Sequence, residues 1–360
     1  MSAAPVVVMA GGTGGHVFPA LAVARVLRER GIPVVWLGTH AGMESRLVPT
    51  QGFPIEWIRV AGIRGKGLGA WLLAPLRLAQ AVLEARAVLR RLGPRAVLGA
   101  GGFVSGPGGI AAWLLGIPLV IHEQNAIAGL TNRWLARIAT RVFEAFPGSF
   151  ARRGVQCIGN PVRADIAALP PPAVRFATRG SAKRLLVLGG SQGARRLNLL
   201  LPQALAQLSV PLRPEVRHQT GSRWLDDARA AYAAAGVDAE LLPFIDDMAA
   251  AYAWADLAIC RAGALTVTEL QAAGLGALLV PFPAAVDDHQ TRNAAVLVRA
   301  GAARVVQERD LDAAKLGALI GEMTADRATL LSMAEAARAG AITDAAVRLA
   351  QQCIVLGEAA

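Results

Sequence analysis

Val6-Val7-Val8-Met9-Ala10-Gly11-Gly12-Thr13-Gly14-Gly15-His16 runs from an uncharged apolar stretch into glycines and then into a helical pattern. A buried parallel strand that ends in glycines and opens a helix leaves backbone N–H groups and a positive dipole end where an anion can sit. The pattern returns at Arg184-Leu185-Leu186-Val187-Leu188-Gly189-Gly190-Ser191-Gln192-Gly193-Ala194-Arg195, about half a chain later. Two such units predict two similar halves with a cleft between them.

Outward from the first loop, short β-rich runs alternate with helical ones. Strands are expected at Val6–Met9, Val34–Leu37, Ile55–Val60, Ala96–Gly99, Leu119–Ile121 and Arg141–Glu144. Between them fall helices Val17–Arg30, Met43–Gln51, Trp71–Leu92, Gly108–Leu115 and Thr131–Ile138. The second half repeats the alternation with strands Leu185–Leu188, Glu215–Gln219, Glu240–Leu242, Leu257–Cys260, Ala277–Pro281 and Ala303–Val306. Such alternation predicts an α/β fold with parallel sheets. Cys157-Ile158-Gly159-Asn160-Pro161 and Pro170-Pro171-Pro172 mark a boundary, giving domains 1–160 and 161–340. Helical patterns Asp312–Thr324 and Thr329–Leu356 close the chain, and the last, over about 341–357, is long enough to return to the first domain.

A length of 360 residues suits two domains with their own cores. The net charge of +11 and pI near 10.9 favour anionic partners. Cys157, Cys260 and Cys353 are too sparse for a disulfide framework or zinc spacing, which reads as a reducing compartment. The N-terminus has no basic residue before its short Val-rich run, which argues against a signal peptide. Leu98 to Ile121 lacks charge, yet its glycines, Pro107 and Pro118 break it into strand, loop, helix, turn and strand rather than a membrane span.

A dinucleotide fold fits poorly. Gly12-x-Gly14 would need a third glycine where Val17 stands, and Leu37-Gly38-Thr39-His40 lacks an acid for a ribose. Gly62-Ile63-Arg64-Gly65-Lys66-Gly67 is not a Walker sequence. A third glycine element, Gly99 to Pro107 with Gly102 and Phe103, should reach the same sheet edge, as should His122-Glu123-Gln124-Asn125. Arg261 to Glu269 opens a helix after a strand. Thr266 and Glu269 have capping-box spacing, so on spacing alone Glu269 serves its own helix, while an acid there also suits the two hydroxyls of a ribose.

Together these motifs, with Gly159-Asn160-Pro161-Val162-Arg163, resemble the bacterial peptidoglycan N-acetylglucosaminyltransferases that make lipid II. The resemblance covers nearly the whole chain. It implies the GT-B architecture, two Rossmann-like domains facing across a cleft. It also implies transfer of N-acetylglucosamine from UDP-N-acetylglucosamine to the C4 hydroxyl of the muramoyl sugar of undecaprenyl-linked lipid I. By position it places Ile245 near the uracil, Glu269 on the ribose, Ala264, Leu265, Thr266 and Ser191 around the diphosphate, and Val267 and Thr268 among the donor-binding residues. Thr13, Gly14, Gly15, Asn125, Arg163 and Gln290 match the remaining donor positions, and Gly102, Phe103, His122, Asn132, Asn198 and Arg261 match positions of functional weight. His289 stands where relatives often carry a second Gln.

The family reaction inverts the anomeric centre and needs a base. His16 is the first candidate, since imidazole titrates near working pH, and its other reading is a helix-start residue binding the acceptor pyrophosphate. Glu123 is the second candidate base. The glycine-loop amides, a helix dipole and Arg261 would stabilise the leaving diphosphate, so no cofactor and no metal are expected. Asp310-Leu311-Asp312, the only Asp-x-Asp, reads as a helix cap.

From Arg59 to Arg95 there are eight basic residues against the single acid Glu84, interleaved with an apolar run beginning at Trp71. Lys66, Trp71, Leu72, Leu73, Leu76 and Arg77 are therefore expected to meet an anionic membrane surface at the cytoplasmic face, peripherally. No nucleic-acid motif accompanies the charge. Other cell-wall synthesis and division proteins are further expected partners. A UDP-N-acetylglucosamine 2-epimerase on the same scaffold, or a non-catalytic UDP-sugar-binding protein, are the competing readings. The epimerase has no need of the Trp71 patch.

Overall fold

In the computed structural model, residues 4–60, 73–190 and 193–358 are described. Ser191, Lys66, Trp71 and Leu72 lie outside them. The chain forms two compact units, Met1–Arg163 with Ile342–Ala360, and Ala164–Ala341.

The first unit runs β1 (Val6–Met9), α1 (Gly14–Glu29), β2 (Val34–Gly38), α2 (Glu44–Thr50), β3 (Ile55–Trp57), α3 (Ala74–Leu92), β4 (Ala96–Gly99), α4 (Ser105–Leu114), β5 (Leu119–Glu123), α5 (Leu130–Leu135), β6 (Arg141–Glu144) and β7 (Gln156–Cys157). All its strands are parallel, in the order β3-β2-β1-β4-β5-β6-β7. Strand side chains alternate between faces, so Val6 and Val8 join one core with Leu21 and Ala24 of α1. Val7 and Met9 join the other, with Ala85 of α3 and Ala111 of α4. Both faces are covered, and hence β1 reads as unbroken apolar sequence.

The second unit comprises α6 (Ala164–Ala167), α7 (Pro172–Ala177), β8 (Arg184–Leu188), α8 (Arg195–Ala206), β9 (Glu215–Gln219), α9 (Leu225–Ala235), β10 (Glu240–Leu242), α10 (Met248–Trp254), β11 (Leu257–Cys260), α11 (Ala264–Ala273), β12 (Gly276–Leu279), α12 (His289–Arg299), β13 (Ala303–Val305), α13 (Ala313–Met323) and α14 (Arg327–Ala339). Its sheet is also parallel, ordered β10-β9-β8-β11-β12-β13. In each unit strand order reverses next to the first strand, at β1/β4 and β8/β11. Loops leaving the carboxyl ends of those strands part there and make the ligand crevice of doubly wound sheets.

The expected final helix is two helices. α14 is closed by Gly340 and stays in the second unit, and α15 (Ala345–Glu358) packs on α1 and β4 of the first. Ala346, Leu349, Ala350 and Cys353 enter the same core as β1. Other limits move by a few residues: α1 takes in Gly14 and Gly15, α4 begins at Ser105, and β3 ends at Trp57, whose ring stacks on His40 at 4.2 Å. Asp312 caps α13 by accepting from Lys315 N.

Candidate active site

In the first unit, the β1 loop enters α1 through Thr13, which is extended (φ −120°, ψ 159°) and caps the helix with its carbonyl, not its side chain. The first-turn N–H groups at Gly14 and Gly15 therefore face outward, with the positive end of the helix behind them. Gly12 is left-handed at φ +88° and donates its N–H to Glu44 Oε2 at 2.9 Å. Glu44 is buried beneath the loop and also accepts from Thr39 N and Oγ1 at 3.1 and 2.7 Å. A Cβ on Gly102 would lie 2.3 Å from Gly11 O, so the β1 and β4 glycine loops touch and require glycine there. Phe103 beside them is exposed.

His16 lies in the first turn of α1, half-buried, with Nδ1 3.1 Å from Gln124 Oε1. Gln124 Nε2 donates to Ala100 O at 2.8 Å. His122 is buried with Nε2 2.9 Å from Gly159 O, and burial lowers its pKa to about 4. It stays neutral and structural.

Glu123 differs from its expectation as a base. Its carboxylate is buried, Oε1 accepting from Asn125 N and Nδ2 and Oε2 from Gly129 N and Asn132 Nδ2. Four donors occupy the lone pairs that a base would use, so Glu123 anchors the loop into α5. Asn132 thereby gains a role as one of those donors, and Asn125 is held by the same carboxylate.

In the second unit, α11 starts at Ala264 behind Gly263, whose extended backbone (φ −62°, ψ 145°) supplies no side-chain cap. Thr266 is thus inside the first turn and the capping-box spacing is not used. Leu265 and Thr266 are half-buried at the helix start. Val267 and Thr268 turn inward: Val267 is wholly buried, its N–H bonds Gly263 O, and Thr268 Oγ1 donates to Ala264 O. Their side chains serve the core rather than a ligand. Glu269 sits one turn further on, where Tyr252 Oη donates to its Oε2 at 2.9 Å. Ile245 is half-buried after β10, and Arg163 ends the first unit.

Gln290 Oε1 accepts from both Ala262 N and Phe282 N, at 3.2 and 2.9 Å, which ties the β11 and β12 loops together. Asn293 Nδ2 holds Ala262 O. Asp287 and Asp288, just ahead of α12, both adopt positive φ (54° and 50°), a strained pair of the kind that persists where a loop is over-determined. Arg261 donates to Val280 O, Pro281 O and Glu308, so its guanidinium staples strand ends together. Arg195, Arg223, Trp224, Arg261 and Phe282 line a cavity of about 840 Å³ beside these loops.

The second glycine loop is clamped from β9. Gln219 Oε1 accepts from Gly190 N and its Nε2 donates to Gly190 O, at 2.9 and 3.0 Å. A Cβ on Gly193 would meet Thr220 O at 2.6 Å, and Asn198 Nδ2 donates to that same oxygen. Asn198 Oδ1 in turn receives His218 Nε2, whose Nδ1 accepts from Tyr232. Asn198 therefore acts on the loop from behind.

The glycosyltransferase family 28 N-terminal domain matches residues 6–144 and the C-terminal domain of that family matches 184–349. The chain belongs to glycosyltransferase family 28. It is 58% identical over 350 residues to the UDP-N-acetylglucosamine–N-acetylmuramyl-(pentapeptide) pyrophosphoryl-undecaprenol N-acetylglucosamine transferase of Nitrosococcus oceani, covering 97% of this chain and 98% of that one. The protein of the same description from Alkalilimnicola ehrlichii is 56% identical over the same span. The crystal structure of Acinetobacter baumannii MurG superposes with a TM-score of 0.86 at 43% identity, over 97% of this chain and 99% of that one. Calicheamicin glycosyltransferase CalG4, at 18% identity and TM-score 0.70, shares the fold. The family resemblance read from the motifs holds, as does the α/β GT-B fold class, and the family 28 chain is a glycosyltransferase.

Several residues that build this family 28 site carry no obvious mark in the sequence. Glu44, Tyr252 and Glu308 lie far along the chain from the groups they hold, outside any glycine motif. Gln124 stands in the His122–Asn125 run already read at a strand end, and Gln219 closes β9, the one signal that could have found it.

Proposed function

We propose that this family 28 enzyme transfers N-acetylglucosamine from UDP-N-acetylglucosamine to the C4 hydroxyl of the muramoyl sugar of lipid I, with inversion, giving lipid II and UDP. The relatives of 56–58% identity, named for that reaction, carry the reading. The arrangement of groups supports it. Open N–H groups at the starts of α1 and α11 suit two diphosphates, one on each substrate. Glu269, held by Tyr252, suits the ribose, and the amides and dipole of α11 suit the leaving diphosphate without a metal.

His16, rather than Glu123, is the base in this reading. Its Nε2 removes the hydroxyl proton as the acceptor oxygen bonds C1, while the C1–phosphate oxygen bond breaks and UDP leaves with the electron pair. Among the described residues no helix is long and apolar enough to cross a membrane. Exposed apolar and basic side chains support membrane contact at the surface of unit one: Leu73, Leu76 and Arg77 at the start of α3, with Trp113 on α4 and Trp134 on α5. Purified protein incubated with labelled UDP-N-acetylglucosamine, a lipid I analogue and EDTA should form disaccharide-lipid. Absence of that product with active control enzyme present overturns the reading, and release of a UDP-linked epimer instead identifies the epimerase.

A further inference from the structure

Behind His16 runs a chain of groups in which every donor and acceptor is assignable. Ala100 O only accepts, so the amide nitrogen of Gln124 lies toward it, at 2.8 Å. That orientation leaves Gln124 Oε1 facing His16 Nδ1 at 3.1 Å, and an amide oxygen has no proton to give. The other side of the amide agrees. Gly159 O likewise only accepts, so His122 carries its proton on Nε2, and its Nδ1 lone pair faces Gln124 Nε2 at 3.3 Å. Gln124 is buried, and a Cβ on Gly101 would come within 2.5 Å of His16 Nδ1, so the ring lies directly against glycine backbone.

The geometry points to Gln124 as a positioning residue that holds the neutral His16 ring in its Nδ1–H tautomer and leaves the Nε2 lone pair to take the acceptor's proton. Which imidazole nitrogen is protonated is set by the hydrogen bond that the other makes. When Nε2 gains the proton, the Nδ1–H bond to the amide oxygen remains, so the imidazolium forms without any rearrangement behind it. This role rests on the assignment of His16 as base. The tautomer itself does not.

Long-range proton–nitrogen correlation spectra of the full chain labelled with ¹⁵N-histidine report the tautomer directly, with the His16 signal assigned by its loss in His16→Gln. A protonated Nδ1 and unprotonated Nε2 in the native protein are expected. A protonated Nε2 overturns the proposal. In Gln124→Met, of similar volume, the ring should populate both tautomers while kcat falls roughly tenfold or more and the KM for UDP-N-acetylglucosamine changes less than twofold. A folded Gln124→Met protein that keeps the Nδ1–H form, or full kcat, also overturns it. Should that variant not fold, the native spectrum alone decides between the tautomers. A native Nδ1–H signal in a protein without transferase activity would leave the tautomer standing and remove the proposed function.

Discussion

Tyr252 Oη, on α10, donates to Glu269 Oε2, on α11, at 2.9 Å, across the strand that joins the two helices. The phenol is buried, so this bond gives the Glu269 carboxylate a partner anchored in the core.

UDP binding should register both members of that pair. Glu269→Ala is expected to weaken UDP affinity by about 2 kcal/mol, roughly 30-fold, through loss of a charged acceptor. Tyr252→Phe keeps the carboxylate and removes only its fixed orientation, so about 1 kcal/mol, roughly fivefold, is expected. Titration calorimetry with UDP checks both: a Glu269→Ala protein with native affinity would place Glu269 outside the donor site, and a Tyr252→Phe protein with native affinity would show that the phenol does not orient it for UDP.

Glu44 should matter for stability as much as for activity. Its buried carboxylate accepts from Gly12 N, Thr39 N and Thr39 Oγ1. In Glu44→Gln an amide NH₂ must face at least one of those donors, a mismatch that costs about 1–3 kcal/mol. Urea unfolding of the first-unit transition reads this, and an unchanged midpoint would mean that the loop stands without the carboxylate.

Two buried histidines give stability a pH dependence of known sign. Burial lowers His122 to about 4 and His218 to about 3, from an ordinary value near 6.5. Both are neutral when folded and protonate near 6.5 when unfolded, so the unfolded chain binds more protons below that pH. Stability is therefore complete above about pH 6.5 and falls as pH drops from there toward 4 and 3, by about 1.4 kcal/mol per unit for each residue. Urea midpoints at pH 7, 6 and 5 test the slope. His218→Gln should shallow it, and an equal slope in native and variant proteins would show that His218 does not titrate on unfolding.

Vesicle binding should depend on the apolar end of α3 and on α4. Leu76 is 69% exposed and Trp113 55%. Each buried in a bilayer surface contributes about 1.5–3 kcal/mol, so Leu76→Glu or Trp113→Glu should reduce sedimentation with phosphatidylglycerol vesicles roughly tenfold, with transfer to a short-chain soluble acceptor retained. Equal binding by the native and variant proteins would place the membrane face elsewhere.

By itself, the sequence determined the two-unit α/β plan and the loops at strand ends. Buried parallel strands must be apolar and their tight exits must be glycine, and both rules are local. His16, on the first of those loops, was legible for that reason, whereas Gln290 was named only through the family resemblance. Only the tertiary structure decided which polar residues act on a ligand and which act on one another. Glu123 reads like a base until four donors close around it, and Glu269 reads like a cap until Tyr252 reaches it. Hydrogen bonds across strands and helices join residues from Gly12 to Glu44 and from Gly190 to Gln219. No spacing rule encodes such pairs, because their partners become neighbours only when the sheet assembles.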